Sequence, residues 1–69
     1  MEIFVNGEKR SCSEKQTLEA FLADEKYDKA KIAVELNGEI IPKAAYAECI
    51  LGPADKLEVV TFVGGGLYG

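Results

Sequence analysis

The residues best placed to do chemistry lie near the C-terminal end, where Gly64, Gly65 and Gly66 follow the apolar, β-rich run Leu57-Glu58-Val59-Val60-Thr61-Phe62-Val63. Consecutive glycines have wide backbone freedom and a thin cross-section, so they make poor scaffold but can thread an extended chain into a narrow channel of another protein. Residues 64–69 also satisfy the pattern G-x-G-x-x-G after a strand. A dinucleotide fingerprint is rejected, because the pyrophosphate in that motif needs the N-terminus of a following helix in a βαβ unit, which Leu67-Tyr68-Gly69 do not provide. A plain flexible linker is the competing reading of the tail.

Elsewhere the sequence is sparing with reactive groups. Cys12 and Cys49 stand 37 positions apart in no metal-type or CxxC spacing, which fits two small buried or half-buried thiols in a reducing compartment rather than a disulfide framework or zinc site. There is no histidine, so the commonest acid and base at neutral pH is missing. Sixty-nine residues make one small domain with no room for a deep cleft. An autonomous enzyme is not expected. The net charge of −4, from twelve acidic and eight basic residues, argues against phosphate-backbone binding and suits a basic protein partner. No signal-like segment or membrane-length apolar run is visible, so a cytoplasmic protein, off the membrane and monomeric, is expected.

The elements that would present the tail can be read in order. Glu2-Ile3-Phe4-Val5 reads as a strand, Asn6-Gly7 as a two-residue hairpin turn, and residues 8–13 as the returning strand. Thr17 is a helix N-cap, with Leu18, Phe21 and Leu22 forming an apolar stripe at i, i+3, i+4. Residues 24–31 read as a solvated loop with a frayed last helical turn. Residues 32–36 alternate as a third strand, Asn37-Gly38 repeats the turn signal, and Glu39-Ile40-Ile41 leaves it as a short strand ended by Pro42. Between residues 43 and 50, Tyr46 and Ile50 are expected to plug an edge of the core, and residues 52–56 to turn into the last strand.

This order predicts an α+β β-grasp domain over residues 1–63, a mixed sheet of four to five strands with one main helix, carrying a flexible tail over 64–69. The last strand should pair beside the first. Alternation then sends Leu57, Val59, Thr61 and Val63 toward the helix, and Val60 and Phe62 to the opposite face with Phe4. One helix cannot cover both faces, so Phe4, Val60 and Phe62 are candidate docking residues for a partner. A loop or a second copy covering them is the alternative.

Taken together, these residues resemble the ThiS family of thiamine-biosynthesis sulfur carriers, which share the ubiquitin-like β-grasp fold. The resemblance runs through the hairpin 3–12, Gln16-Thr17-Leu18, the block Val34-Glu35-Leu36-Asn37-Gly38-Glu39-Ile40-Ile41-Pro42-Lys43 and the tail Val63-Gly64-Gly65-Gly66. It implies a protein co-substrate whose C-terminal glycine is activated by a ubiquitin-activating-like adenylating enzyme (ThiF type) using ATP and Mg. A carboxylate is a poor electrophile until its oxygen is made a good leaving group. Sulfur from a cysteine-derived persulfide would then give a thiocarboxylate for thiazole synthase (ThiG type). The family usually ends at Gly-Gly, which places the reactive carboxylate on Gly66 and leaves Leu67-Tyr68-Gly69 to be explained. Removal by a processing protease is favoured, since a Leu-Tyr pair would obstruct a glycine-width channel. Activation of Gly69 itself, or residues added on expression, are the alternatives. Carriers for cysteine, homocysteine or molybdopterin synthesis, a ubiquitin-like protein modifier and a plain interaction module are the rival functions.

Overall fold

The computed structural model describes residues 1–62. Val63 and the tail 64–69, with the expected domain boundary between them, lie outside the described residues.

Two Asn-Gly turns set the strand pairing. Asn6 and Gly7 take φ of 51° and 84°, Asn37 and Gly38 51° and 88°. Positive φ at both central positions gives a turn whose twist matches that of flanking strands. The first turn joins β1 (Glu2–Val5) to β2 (Glu8–Ser11), and the second joins β3 (Ile32–Leu36) to β4 (Glu39–Ile41). The last strand, β5 (Lys56–Thr61), enters between the two hairpins. The resulting five-stranded sheet runs β2-β1-β5-β3-β4, with β5 parallel to β1 and antiparallel to β3. This is the mixed β-grasp sheet read from the sequence.

The helix α1 (Leu18–Asp24) covers one face. Thr17 caps it as expected, its Oγ1 accepting a hydrogen bond from the Ala20 N–H at 3.1 Å. Leu18, Phe21 and Leu22 are buried against Ile3 and Val5 of β1, Ile32 and Val34 of β3, and Leu57 and Val59 of β5. Every buried strand residue lies on the helix side, because side chains alternate across a strand. Arg10 of β2 closes that side at its rim, its Nε 3.3 Å from the Glu25 carboxylate just past the helix.

Two expectations are corrected. The helix does not fray: the Lys26 N–H bonds the Ala23 carbonyl at 3.0 Å and the Tyr27 N–H bonds the Leu22 carbonyl at 2.9 Å. With Lys26 at φ 63°, this is a closed Schellman end. It folds the half-buried Tyr27 onto the core, and a short 3₁₀ turn, Lys29–Lys31, capped by the Asp28 side chain, follows. Ile50 is no plug, being 55% exposed, whereas Tyr46 and Leu51 are buried. The reason is a short antiparallel bridge between Thr17 and Ile50, flanked by Leu18 N–H to Cys49 carbonyl and Leu51 N–H to Gln16 carbonyl bonds of 2.7 and 2.9 Å. Extended pairing sends neighbours to opposite sides, so Leu51 enters the core and Ile50 faces out. Thr61, opposite the buried Ile32, lies on the helix side as the alternation requires, and is exposed because it stands at the sheet's end, past the last buried residue of β5.

Lysine at Lys26 occupies a conformation that suits glycine. Substitution Lys26→Gly keeps both closing hydrogen bonds and removes the Cβ penalty, offset in part by unfolded-chain entropy. It is expected to stabilise the domain by about 0.5 to 1 kcal/mol in denaturant melts; an unchanged or lower midpoint would contradict the closed helix end.

Candidate functional site

What the helix leaves uncovered is the outer face of the sheet, and register decides what that face presents. Phe4 is half-buried and stands beside Lys56 on β5 and Lys9 on β2. Val60, 59% exposed, stands beside Ala33 on β3. Val60 lies four positions along β5 from Lys56, the residue opposite Phe4, roughly 13 Å along a strand, and Glu58 projects between them. Phe4 and Val60 therefore share a face, as the alternation requires, without forming one apolar patch. Phe62 is half-buried, and its N–H bonds the Lys31 carbonyl at 2.7 Å. This bond ties the last described residue to the end of the 3₁₀ turn.

The face thus divides by chemistry. One half is aromatic and basic, Phe4 between Lys9 and Lys56. The other is aliphatic and acidic: Glu35 lies opposite Glu58 on one side and opposite Ile40 on the other, with Ala33 and Val60 in the next row.

Two residues that sequence reasoning treated only as turn formers do further work here. Asn6 donates from Nδ2 to the Val59 carbonyl at 3.2 Å and accepts the Val59 N–H on Oδ1 at 2.8 Å. Its amide thereby mimics a peptide group and continues the β1 to β5 ladder past Val5, where β1 ends. Asn37 acts from the opposite edge, its Oδ1 accepting the Lys56 N–H at 3.0 Å and its Nδ2 donating to the Asp55 carboxylate at 3.1 Å. The available signal was asparagine rather than glycine or aspartate at the first turn position, since only the amide offers both a donor and an acceptor.

The cysteines hold no comparable position. Cys12 and Cys49 are free and half-buried. Burial pushes both thiols up, with Asp55 adding to each, although the N-terminal ammonium opposes the rise at Cys12. At neutral pH both are protonated and poor nucleophiles. Among the described residues no group of acidic or thiol side chains could hold a metal ion, and no helix is long and apolar enough to cross a membrane. Gly64, Gly65, Gly66 and Gly69, the candidate tail and activation sites, lie outside the described residues.

Comparison with known proteins accords with this geometry. The ThiS family model matches residues 3–66. A thiazole synthase of Paramagnetospirillum magneticum is 47% identical over 66 residues, a match covering 96% of this chain and 20% of that protein. A second, from Magnetococcus marinus, is 36% identical and is covered over 21% of its length. The chain therefore spans about a fifth of the length of these two relatives. The uncharacterized protein ycf40 of Pyropia yezoensis is 38% identical, with 96% of this chain and 93% of that one covered. Among solved structures, the crystal structure of the thiamine biosynthesis protein (ThiS) from Geobacter metallireducens superposes with a TM-score of 0.81 at 30% identity, covering 96% of this chain and all of that one.

The asparagine grip is testable apart from the turn. Asn6→Gly preserves the positive φ but deletes both bonds to Val59, and should lower stability by about 1 to 2 kcal/mol in denaturant melts. No loss would show that Asn6 serves the turn alone.

Proposed function

Because this chain belongs to the ThiS family and has the β-grasp fold of a ThiS protein, we propose that it is a sulfur carrier working through its own C-terminal carboxylate. The match of the ThiS model through Gly66 is the observation that carries this reading. The carboxylate of Gly66, freed by removal of Leu67-Tyr68-Gly69 by a processing protease, attacks the α-phosphorus of ATP on a ThiF-type adenylating enzyme and releases pyrophosphate. The terminal sulfur of a persulfide then attacks the acyl carbon and AMP leaves. A second thiol cleaves the remaining S–S bond, giving a disulfide and the free thiocarboxylate. ATP and Mg are used by the partner enzyme.

The division of labour suits what the domain itself contains. Burial raises the pKa of its two half-buried thiols, which supports placing the sulfur chemistry on the tail rather than on a cysteine. The acceptor is a thiazole synthase of the ThiG type, supplying sulfur for thiazole formation in thiamine biosynthesis. Support comes from the two thiazole synthases that each include a segment similar to this chain. Joining a donor to its acceptor raises its effective concentration there. The outer sheet face, with Phe4 and Val60, and Phe62 at its end are the docking elements for the adenylating enzyme.

The test is ATP-dependent pyrophosphate exchange with a ThiF-type enzyme. A chain ending at Gly66 should support exchange, and the 69-residue chain should not until it is cut. Gly65→Val should cost about 10²-fold in rate, the scale of a misplaced reacting group, with the melting temperature unchanged. Exchange by neither chain would overturn the reading, and exchange by the 69-residue chain alone would move the activated carboxylate to Gly69.

A further inference from the structure

A lysine closes the end of the sheet from which the tail continues. Strand β4 stops at Ile41, opposite Val34. Continuing that register by two positions would set Lys43 against Ile32, but Pro42 has no N–H for a ladder and the chain turns into a 3₁₀ segment, Lys43–Ala45. The Ile32 carbonyl, past the last β3 to β4 pair, takes its donor from a side chain instead. Lys43 Nζ donates to it at 2.8 Å.

This bond sits beside the root of the tail. Phe62, the last described residue, donates its N–H to the carbonyl of Lys31, the residue next to Ile32. Successive carbonyls of an extended chain point to opposite edges. The start of β3 is thus gripped by β5 from one edge and by Lys43 from the other. The ion pairs among the described residues take Arg10, Lys29 and the N-terminal ammonium as their cations. The Lys43 ammonium is therefore committed to a neutral carbonyl, in a bond that its charge strengthens.

We propose that Lys43 is a positioning residue for the tail: by pinning Ile32 it keeps the Lys31 carbonyl in place to hold Phe62, and so sets where the chain leaves the sheet. The inference rests on the carrier reading, in which Lys43 acts through β3 and not on the reacting carboxylate. Strand ends open locally at little cost unless they are held. A carrier with an open root must close it on docking, and its apparent affinity falls with the fraction that is closed.

The test reads the root itself. By hydrogen exchange in NMR, Lys43→Met should speed exchange of the Phe62 amide about tenfold and leave that of Val59, held by Asn6 on the same strand, nearly unchanged. In the form of the chain that supports ATP–pyrophosphate exchange, the same variant should raise KM for the carrier about fivefold with kcat unchanged. Lys43→Arg keeps a charged donor and should bring both readings back toward the parent. Lys15→Met, which removes an equal charge from the turn before α1, should change neither. Equal acceleration at Phe62 and Val59 would make Lys43 a general stabiliser, and a raised KM with an unaltered Phe62 amide would make it a direct contact to the enzyme; either result overturns the proposal. An unaltered amide with an unaltered KM overturns it as well, while exchange by the parent chain still upholds the carrier reading. No exchange by the parent chain overturns both.

Discussion

Amide side chains of Asn6 and Asn37 bond the backbone of β5 from opposite edges, and the rest of the molecule is arranged around that strand. β5 is the one strand paired to both hairpins, yet its parallel pairing with β1 covers only Phe4 with Lys56 and Val5 with Leu57. Without the Asn6 amide, Val59 would have no partner on that edge. Each asparagine can reach across only because its own turn needs positive φ at that residue, a region asparagine tolerates. Turn formation and strand fixation are thus one requirement met by one residue type.

Among the described residues the sheet has one face covered by the helix and one left open, an asymmetry that suits the proposed carrier role. Burial supplies the stability: Leu57 and Val59 of β5 sit in the core with Leu18, Phe21 and Leu22 of α1. The intervening Lys56, Glu58 and Val60 are free to be chosen for a partner, since they contribute little to the core. A single strand therefore holds the domain together and presents a surface, with the glycine tail following it in sequence. On the proposed reading such a domain needs no catalytic side chains, because the group to be activated is a backbone carboxylate.

Much of this was legible from sequence. The hairpins, the Thr17 cap and the buried stripe follow from local rules, in which turn geometry, capping and periodicity act over a few residues. The side of the sheet each residue faces was legible too, since alternation is a local property. What neighbours it there was not. Phe4 lies opposite Lys56 and far from Val60 because of the register between strands more than fifty residues apart, which no local pattern encodes. The same holds for the Asn6 amide reaching Val59. Ile50 was misjudged because hydrophobicity alone favours its burial, whereas the bridge to Thr17 sends Leu51 inward instead. The proposed role of the glycine tail rests on a family pattern, because glycine offers no side chain from which chemistry could be inferred.

The central claim is that the working end of this protein is a sulfur-bearing C-terminal glycine, and the intact mass of the untagged protein isolated from its native cells tests it most directly. The account predicts a population whose mass corresponds to a chain ending at Gly66 with one carboxylate oxygen replaced by sulfur. A chain found only as an unmodified form ending at Gly69, in cells actively making thiazole, would contradict it.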